Sequence, residues 1–244
     1  MKLPTLHCWR DPEFRSAAEN MALDEALFLW SCRTGNPVAR FYHWDHSAVT
    51  IGYFGSIAGP RSAAAVRRYT GGGLVEHGED LTFLLALPAE SPPVLAPAME
   101  RYRWIHESLA RALAVTGVSV ALANPGPSAS TGPCFANPVP WDLLDPTSGA
   151  KIGGGAQRRT KGAVIHQGSL RLPPNLRNPM APWLDRFLEP LADSTEILDS
   201  GVREELLGEA TRLKRCRYDD PGWNRSGSAA GSCKESFPRP RDSG

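Results

Sequence analysis

Arg67-Arg68-Tyr69-Thr70-Gly71-Gly72-Gly73-Leu74-Val75-Glu76-His77 is the stretch on which the reading of this chain turns. Two arginines run into three consecutive glycines, and a histidine follows. Consecutive glycines are costly in conformational entropy, so their placement inside a domain points to a backbone that must bend or be approached closely. A second triplet lies downstream in Lys151-Ile152-Gly153-Gly154-Gly155-Ala156-Gln157. Both read as loops whose N–H groups can crowd around an anion, and each stands beside a basic residue. A tight turn is the competing reading of either triplet alone. The first is not a P-loop, because no Gly-Lys-Ser or Gly-Lys-Thr closes it, and it holds no Gly-x-Gly-x-x-Gly fingerprint.

The segments around these loops mix helix and strand. Ser16 and Glu19 have capping-box spacing. Met21, Leu23, Ala26, Leu27 and Trp30 then recur at helical intervals, predicting a helix over about 17–33 with Asn20, Asp24 and Glu25 on its polar side. Runs 38–44 and 48–54 read as a hairpin turning at Asp45-His46-Ser47, and 61–66 as a short helix. Leu81 to Leu87 is a buried strand. Met99, Tyr102, Ile105, Leu109 and Leu113 mark a second helix, followed by strands at 118–122 and 141–144. Residues 162–172 form a strand with Ala163, Ile165, Gln167 and Ser169 on one face. Helices follow at about 180–192 and 202–215. This order lacks a regular βαβ alternation, so the expected class is α+β, a mixed β-sheet with flanking helices. One catalytic domain is expected over 1–217. From 218 to 244 Gly, Pro, Ser and Arg dominate, and a disordered tail is expected.

Composition excludes several functions. Of 244 residues 41% are apolar and 22% charged, and the net charge is +1. That is an ordinary globular balance, with no electrostatic footprint for nucleic acid. No apolar run approaches 18 residues, and Met1 to Pro12 lacks the apolar centre of a signal peptide. Five cysteines without a Cys-x-x-Cys pair argue against a zinc site and a disulfide framework. A cytoplasmic protein with reduced thiols, no membrane partner and no metal is the expectation.

Cys134 stands in Gly132-Pro133-Cys134-Phe135-Ala136-Asn137-Pro138. A thiol exposed in such a loop near a cation becomes a nucleophile; an inert small residue is the alternative, to which Cys8, Cys32, Cys216 and Cys233 are assigned. Lys151 is a point charge suited to a phosphate or a developing oxyanion, or else a solvated lysine. His77 and His166 are candidates for acid–base or ligand contacts, against the commoner structural histidine.

Four segments carry a resemblance. They are Asn20-Met21-Ala22-Leu23-Asp24-Glu25-Ala26-Leu27; Arg40-Phe41-Tyr42-His43-Trp44 through Gly52-Tyr53-Phe54; Arg67 through His77, running on to Leu81-Thr82; and Lys151 through Gln157, followed by His166-Gln167-Gly168-Ser169-Leu170. In this order and spacing, over roughly 16–172, the chain resembles the lipoate–protein ligases, octanoyltransferases and biotin–protein ligases. The resemblance implies their catalytic-domain fold, with an acyl chain held in a tunnel. It also implies a reaction that places an octanoyl or lipoyl group on a lysine of a carrier domain. His77-Gly78-Glu79-Asp80-Leu81-Thr82 and Cys134-Phe135-Ala136-Asn137-Pro138 look closest to the cysteine-dependent octanoyltransferases. Gly73 is ligase-like, and His166-Gln167 reverses an expected Gln-His pair.

On the transferase reading Cys134 and Lys151 are catalytic, and Arg68, Thr70, Gly71, Gly72, Gly73, His77, Gly153, Gly154, Ala156 and His166 bind substrate. The partners would be acyl carrier protein and a lipoyl-carrier domain, such as the glycine cleavage H protein or a 2-oxoacid dehydrogenase E2. No cofactor is expected. ATP and Mg would enter only if the chain were a lipoate–protein ligase working through lipoyl-adenylate. A non-catalytic acyl- or carrier-binding module is the third reading.

Overall fold

The computed structural model describes residues 1–56, 65–124 and 134–227. The chain opens on β1 (Leu3–Arg15), α1 (Ala17–Thr34), β2 (Val38–Trp44), β3 (Ala48–Ile51), β4 (Val66–Arg67), β5 (Val75–His77) and β6 (Leu81–Leu87). Next come α2 (Pro92–Leu95), α3 (Ala98–Ala114), β7 (Ala121–Leu122), a 3₁₀ turn at Cys134–Ala136, β8 (Leu143–Leu144), β9 (Lys151–Thr160) and β10 (Ala163–Leu170). The chain continues through α4 (Trp183–Leu188), β11 (Ala192–Ile197) and α5 (Ser200–Leu213), then a π-turn at Lys214–Tyr218 and α6 (Pro221–Ser226). Eight strands form one mixed sheet in the order β11-β1-β2-β6-β10-β9-β8-β7, and β4-β3-β5 form a small second sheet.

The period-2 alternation of the central strands separates two cores. Phe41, Phe83, Leu85 and Val164 face α3 and α4, packing with Trp104, Ile105 and Phe187. Tyr42, Leu84, Ala86, Ala163 and Ile165 face α1 and α5. Each large side chain so buried contributes about 1.5–3 kcal/mol. The two faces of β10 therefore go to two different helical layers, and a one-residue slip would exchange them.

Helix α1 begins at the expected capping box, with both Ser16 and Glu19 bonds formed. Its polar residues are not on a solvated side, however: Asn20, Asp24 and Glu25 are buried. The helix is covered by the sheet on one side and by α5 with the π-turn on the other. Burying these groups is tolerable because each is paired. Arg40 donates to Asp24 (3.0 Å), Asp11 (2.8 Å) and Asn20 Oδ1 (2.8 Å). Glu25 accepts from Tyr218 Oη (2.7 Å) and from Arg217.

Four expectations change. Strands β2 and β3 are not a hairpin, because β3 leaves the large sheet and pairs with β4 and β5. The second glycine triplet is not a loop but the first half of β9, paired to β10. Residues 218–227, expected to be tail, form the end of the π-turn and α6, with Tyr218 and Trp223 buried. Cys216 is disulfide-bonded, whereas all cysteines were expected reduced; Cys8, Cys32 and Cys134 are free thiols. The helix expected at 61–66 falls mostly outside the described residues, although Val66 opens β4.

Candidate functional site

The small sheet folds over β9 and β10 and leaves a cleft of about 450 Å³ of empty space, counted out to its mouth. Its wall on the large sheet is made by Tyr42, Trp44, Gly154, Ala156, Gln167 and Ser169. Thr50, Arg68, Val75 and His77 close it from the small sheet, Met21 comes from α1, and Cys134, Phe135 and Lys151 complete the lining. An apolar lining with a few convergent polar groups is the make-up of a small-molecule site.

Lys151 begins β9, and its side chain is 1% exposed. Its Nζ donates to Asp142 Oδ2 (2.7 Å) and to the Cys134 carbonyl (3.1 Å), and lies 3.5 Å from Cys134 Sγ. The thiol and the ammonium, distant in sequence, are thus neighbours. Gly154 makes this possible. A Cβ there would stand 2.6 Å from both Asp142 Oδ1 and Lys151 Nζ. The opening glycine loop supplies the other constraint, since the Leu74 carbonyl accepts the Cys134 N–H at 3.0 Å.

Within that loop Gly72 adopts φ +88°, a conformation that favours glycine. The loop is tightened around the buried Arg68, whose Nη2 donates to the Gly71 and Gly73 carbonyls, both at 2.8 Å. Its Nη1 reaches Thr50 Oγ1 at 3.1 Å. Burial pulls Arg68 down to about 10, and the neighbouring Cys134 works against that shift. The loop was expected to turn amides toward an anion; these two carbonyls instead wrap a cation. Thr70 lies behind the lining and donates to Gln167 Oε1 (2.7 Å), while Gln167 Nε2 donates to Asp24 Oδ2 (2.7 Å). Burial pushes the Asp24 carboxyl up, and more strongly than Arg40 and Gln167 draw it down.

His77 stacks on Trp44 at 3.9 Å. Its Nδ1 lies 2.7 Å from Asp80 Oδ2, and its Nε2 2.9 Å from Thr50 Oγ1. Asp80 also accepts from Ser169 (2.6 Å), Thr82 (2.9 Å) and the Gly78 N–H (3.0 Å). Burial opposes ionisation of Asp80, but His77 and these donors outweigh it and hold the carboxyl at about 2. The walls of the cleft are thus polar groups that have largely satisfied one another, leaving apolar surface toward the space between them.

Arg68, His77, Gly154 and Ala156 line the cleft together with Cys134 and Lys151. Gly71, Gly72, Gly73 and Thr70 support it without lining it. Gly153 faces Leu143 and Leu170 in the core. His166 is placed on the other face of β10, against Phe83 and Tyr102. Burial drives its pKa to about 3, so it is a neutral core side chain rather than a cleft residue. Sequence reasoning missed Asp142 and Tyr102. Tyr102 Oη donates to Asp142 Oδ1 at 2.5 Å and accepts the Gly155 N–H at 2.8 Å. Among the described residues no cluster of three His, Cys, Asp or Glu is arranged to hold a metal, and no helix is long and apolar enough to cross a membrane.

This sheet, with a small second sheet folded over an apolar cleft, is a catalytic domain of the lipoate-ligase type. The chain belongs to the lipoyl protein ligase A/B catalytic domain family, whose profile matches residues 16–207. It is similar to the octanoyltransferase LipM of Oceanobacillus iheyensis, 32% identical over 173 residues that cover 66% of this chain and 62% of the relative. The octanoyltransferase LipM of Bacillus subtilis is 34% identical over 185 residues, 67% of this chain and 65% of the relative. The chain therefore spans a little under two thirds of the length of these curated relatives. Among solved structures, a candidate lipoate protein ligase of T. acidophilum with bound lipoic acid superposes with a TM-score of 0.64 at 21% identity, covering 92% of this chain and 100% of that one. A lipoate-protein ligase A bound with ATP gives 0.63 at 20% identity, covering 93% and 99%. At such identities the likeness is one of fold.

Proposed function

We propose that this protein is an octanoyltransferase. It would move an octanoyl group from an acyl carrier protein thioester to a lysine of a lipoyl-carrier domain, by way of a Cys134 acyl-enzyme. The observation that carries this reading is the Lys151 ammonium 3.5 Å from Cys134 Sγ at an apolar cleft. The names of the curated relatives agree with it.

Cys134 Sγ, as thiolate, attacks the thioester carbonyl. A new carbon–sulfur bond forms, the donor's carbon–sulfur bond breaks, and the donor departs as a thiolate that takes up the proton Cys134 released on ionising. Lys151 stabilises negative charge first on sulfur and then on the carbonyl oxygen. The apolar walls of Met21, Tyr42, Trp44 and Val75 hold the chain. In the second half the carrier's neutral amine attacks the enzyme thioester, a carbon–nitrogen bond forms, the carbon–sulfur bond to Cys134 breaks, and the departing sulfur takes the proton the amine loses. Dividing the transfer lets two protein substrates use one mouth in turn. No ATP or Mg is required by this chemistry. Candidate partners are acyl carrier protein, the glycine cleavage H protein and the 2-oxoacid dehydrogenase E2.

Intact-mass spectrometry after incubation with octanoyl-acyl carrier protein tests the reading. The expected result is an octanoyl adduct on the wild type and none on Cys134→Ser. An active Cys134→Ser protein without any adduct on the wild type would overturn it.

A further inference from the structure

Lys151 is almost completely buried, and a buried ammonium needs a counter-charge to stay protonated. While Cys134 is a thiolate, the sulfur can supply that charge. Once acylated, the sulfur is neutral. Asp142, itself 0% exposed, is then the carboxylate that remains at hydrogen-bond distance from Nζ. Its other oxygen is occupied by Tyr102 Oη, which is fixed to β9 by the Gly155 N–H. The Val139 N–H donates to Oδ2 at 2.7 Å. The carboxylate is thus held from three directions, with Oδ2 toward the lysine.

Resting on the transferase reading above, we propose that Asp142, oriented by Tyr102, is a positioning residue for the second half-reaction. It keeps Lys151 charged and aimed at the thioester carbonyl while the carrier amine attacks. The titratable and charged groups around the pair are consistent with a single cation serving Asp142. Tyr102 and His106 face it from α3, and His166 lies behind them on β10. Burial keeps both imidazoles neutral. Arg68 stands across the cleft, bound to Thr50 and the glycine loop. Arg171 is stacked on Phe135 at 3.8 Å.

The proposal separates the two half-reactions. Asp142 Oδ2 and Cys134 Sγ share the one ammonium, at 2.7 and 3.5 Å from Nζ, and like charges on the two would oppose each other. Removing the carboxylate leaves the ammonium to the sulfur alone. Nζ still stands 3.5 Å from Sγ, within reach of a negative charge on the sulfur. Asp142→Asn is therefore expected to acylate readily and to stall afterwards.

Single-turnover mass spectrometry would follow octanoyl transfer from octanoyl-acyl carrier protein to Cys134, and then from Cys134 to a lipoyl domain. The expected result is acyl-enzyme that accumulates on Asp142→Asn, with transfer to the lipoyl domain slowed at least 10-fold and acylation slowed less than 3-fold. Tyr102→Phe, which removes only the hydroxyl, is expected to slow the second half alone by a smaller factor. A second measurement needs no acyl donor: the pH profile of Cys134 alkylation by iodoacetamide is expected to move to lower pH in Asp142→Asn. Equal slowing of both halves, no slowing of the second, or an unmoved alkylation profile would overturn the proposal. If Asp142→Asn does not fold, unaltered second-half transfer in Tyr102→Phe does the same. Absence of any adduct on the wild type would instead sink the transferase reading, and the alkylation arm would still judge Asp142.

Discussion

At the scale of single residues, Gly154 shows what the second glycine triplet is for. The triplet is visible in the sequence, but as a loop signal it misleads. In a paired strand its value is the missing Cβ, which leaves room for the Lys151–Asp142 pair. Gly154→Ala places a methyl group among atoms that are fixed by hydrogen bonds. Overpacking of this kind costs about 1–3 kcal/mol, and here the atoms that must yield belong to the site. We expect Gly154→Ala to fold, to unfold at lower denaturant by about that amount, and to lose at least 10-fold in octanoyl transfer. Full activity with unchanged stability would refute the packing argument. Asp80 gives a pH-dependent prediction. Its folded pKa of about 2 lies below the ordinary carboxylate value of 3.8. A depressed carboxylate stabilises the fold above the unfolded pKa, and the contribution is lost as pH falls toward the folded one. The shift corresponds to about 2 kcal/mol at neutral pH. Asp80→Asn should be less stable than the wild type by about that much at pH 7, with the difference shrinking as pH falls from about 4 toward about 2. Urea titrations across that range would show it; a difference independent of pH would contradict the ionic account.

At the scale of elements, legibility followed burial pattern. α1, α3 and β10 were evident from the spacing of their apolar residues, and β6 from a short continuous apolar run that is buried on both faces. β1 was not, since Leu3–Arg15 carries charges at Arg10, Asp11, Glu13 and Arg15; the one that is buried, Asp11, is tolerated because of a partner far away in sequence, Arg40. The same holds for α6. Its composition reads as tail, but its C-terminal carbonyls have a use. The buried Arg67 donates to Trp223 O, Asn224 O and Arg225 O, and also to the carbonyls of Gly52, Tyr53 and Gly55. The C-terminal end of a helix carries partial negative charge, so a guanidinium there is favourably placed. This clasp ties α6 to β4 and to the segment after β3, immediately ahead of the glycine loop. Ending the chain at Arg217 should strip Arg67 of half these acceptors. Hydrogen bonds to a charged group are worth about 1.5–3 kcal/mol, so thermal unfolding should come roughly 10 °C earlier. A calorimetric midpoint within about 2 °C of the full chain would show that α6 does not hold the loop.

At the scale of the whole molecule, four separated sequence segments identified the family because each contributes one wall of one cleft. Cys134 and Lys151 were legible as types of residue, and their contact follows from the sheet order that brings β9 and β10 beneath the small sheet. Asp142 and Tyr102 were not legible, since a carboxylate and a phenol acquire meaning only through the partner that folding gives them. The same geometry bears on the branch of the family. The glycine loop suggested an anion site and Gly73 a ligase, but the Gly71 and Gly73 carbonyls are turned to Arg68. The Lys151 ammonium, at the cleft wall, is already engaged by Asp142 and the Cys134 carbonyl. A carboxylate at 2.7 Å from that nitrogen would also repel an approaching phosphate. We therefore expect octanoyl transfer from octanoyl-acyl carrier protein to a lipoyl domain to proceed at the same rate with or without ATP and Mg. Free octanoate or lipoate with ATP and Mg should give less than a hundredth of that modification. Mass spectrometry of the lipoyl domain measures both. Comparable modification from free acid, with release of pyrophosphate, would mean that Lys151 leaves Asp142 for the nucleotide and that the adenylate route operates in this chain.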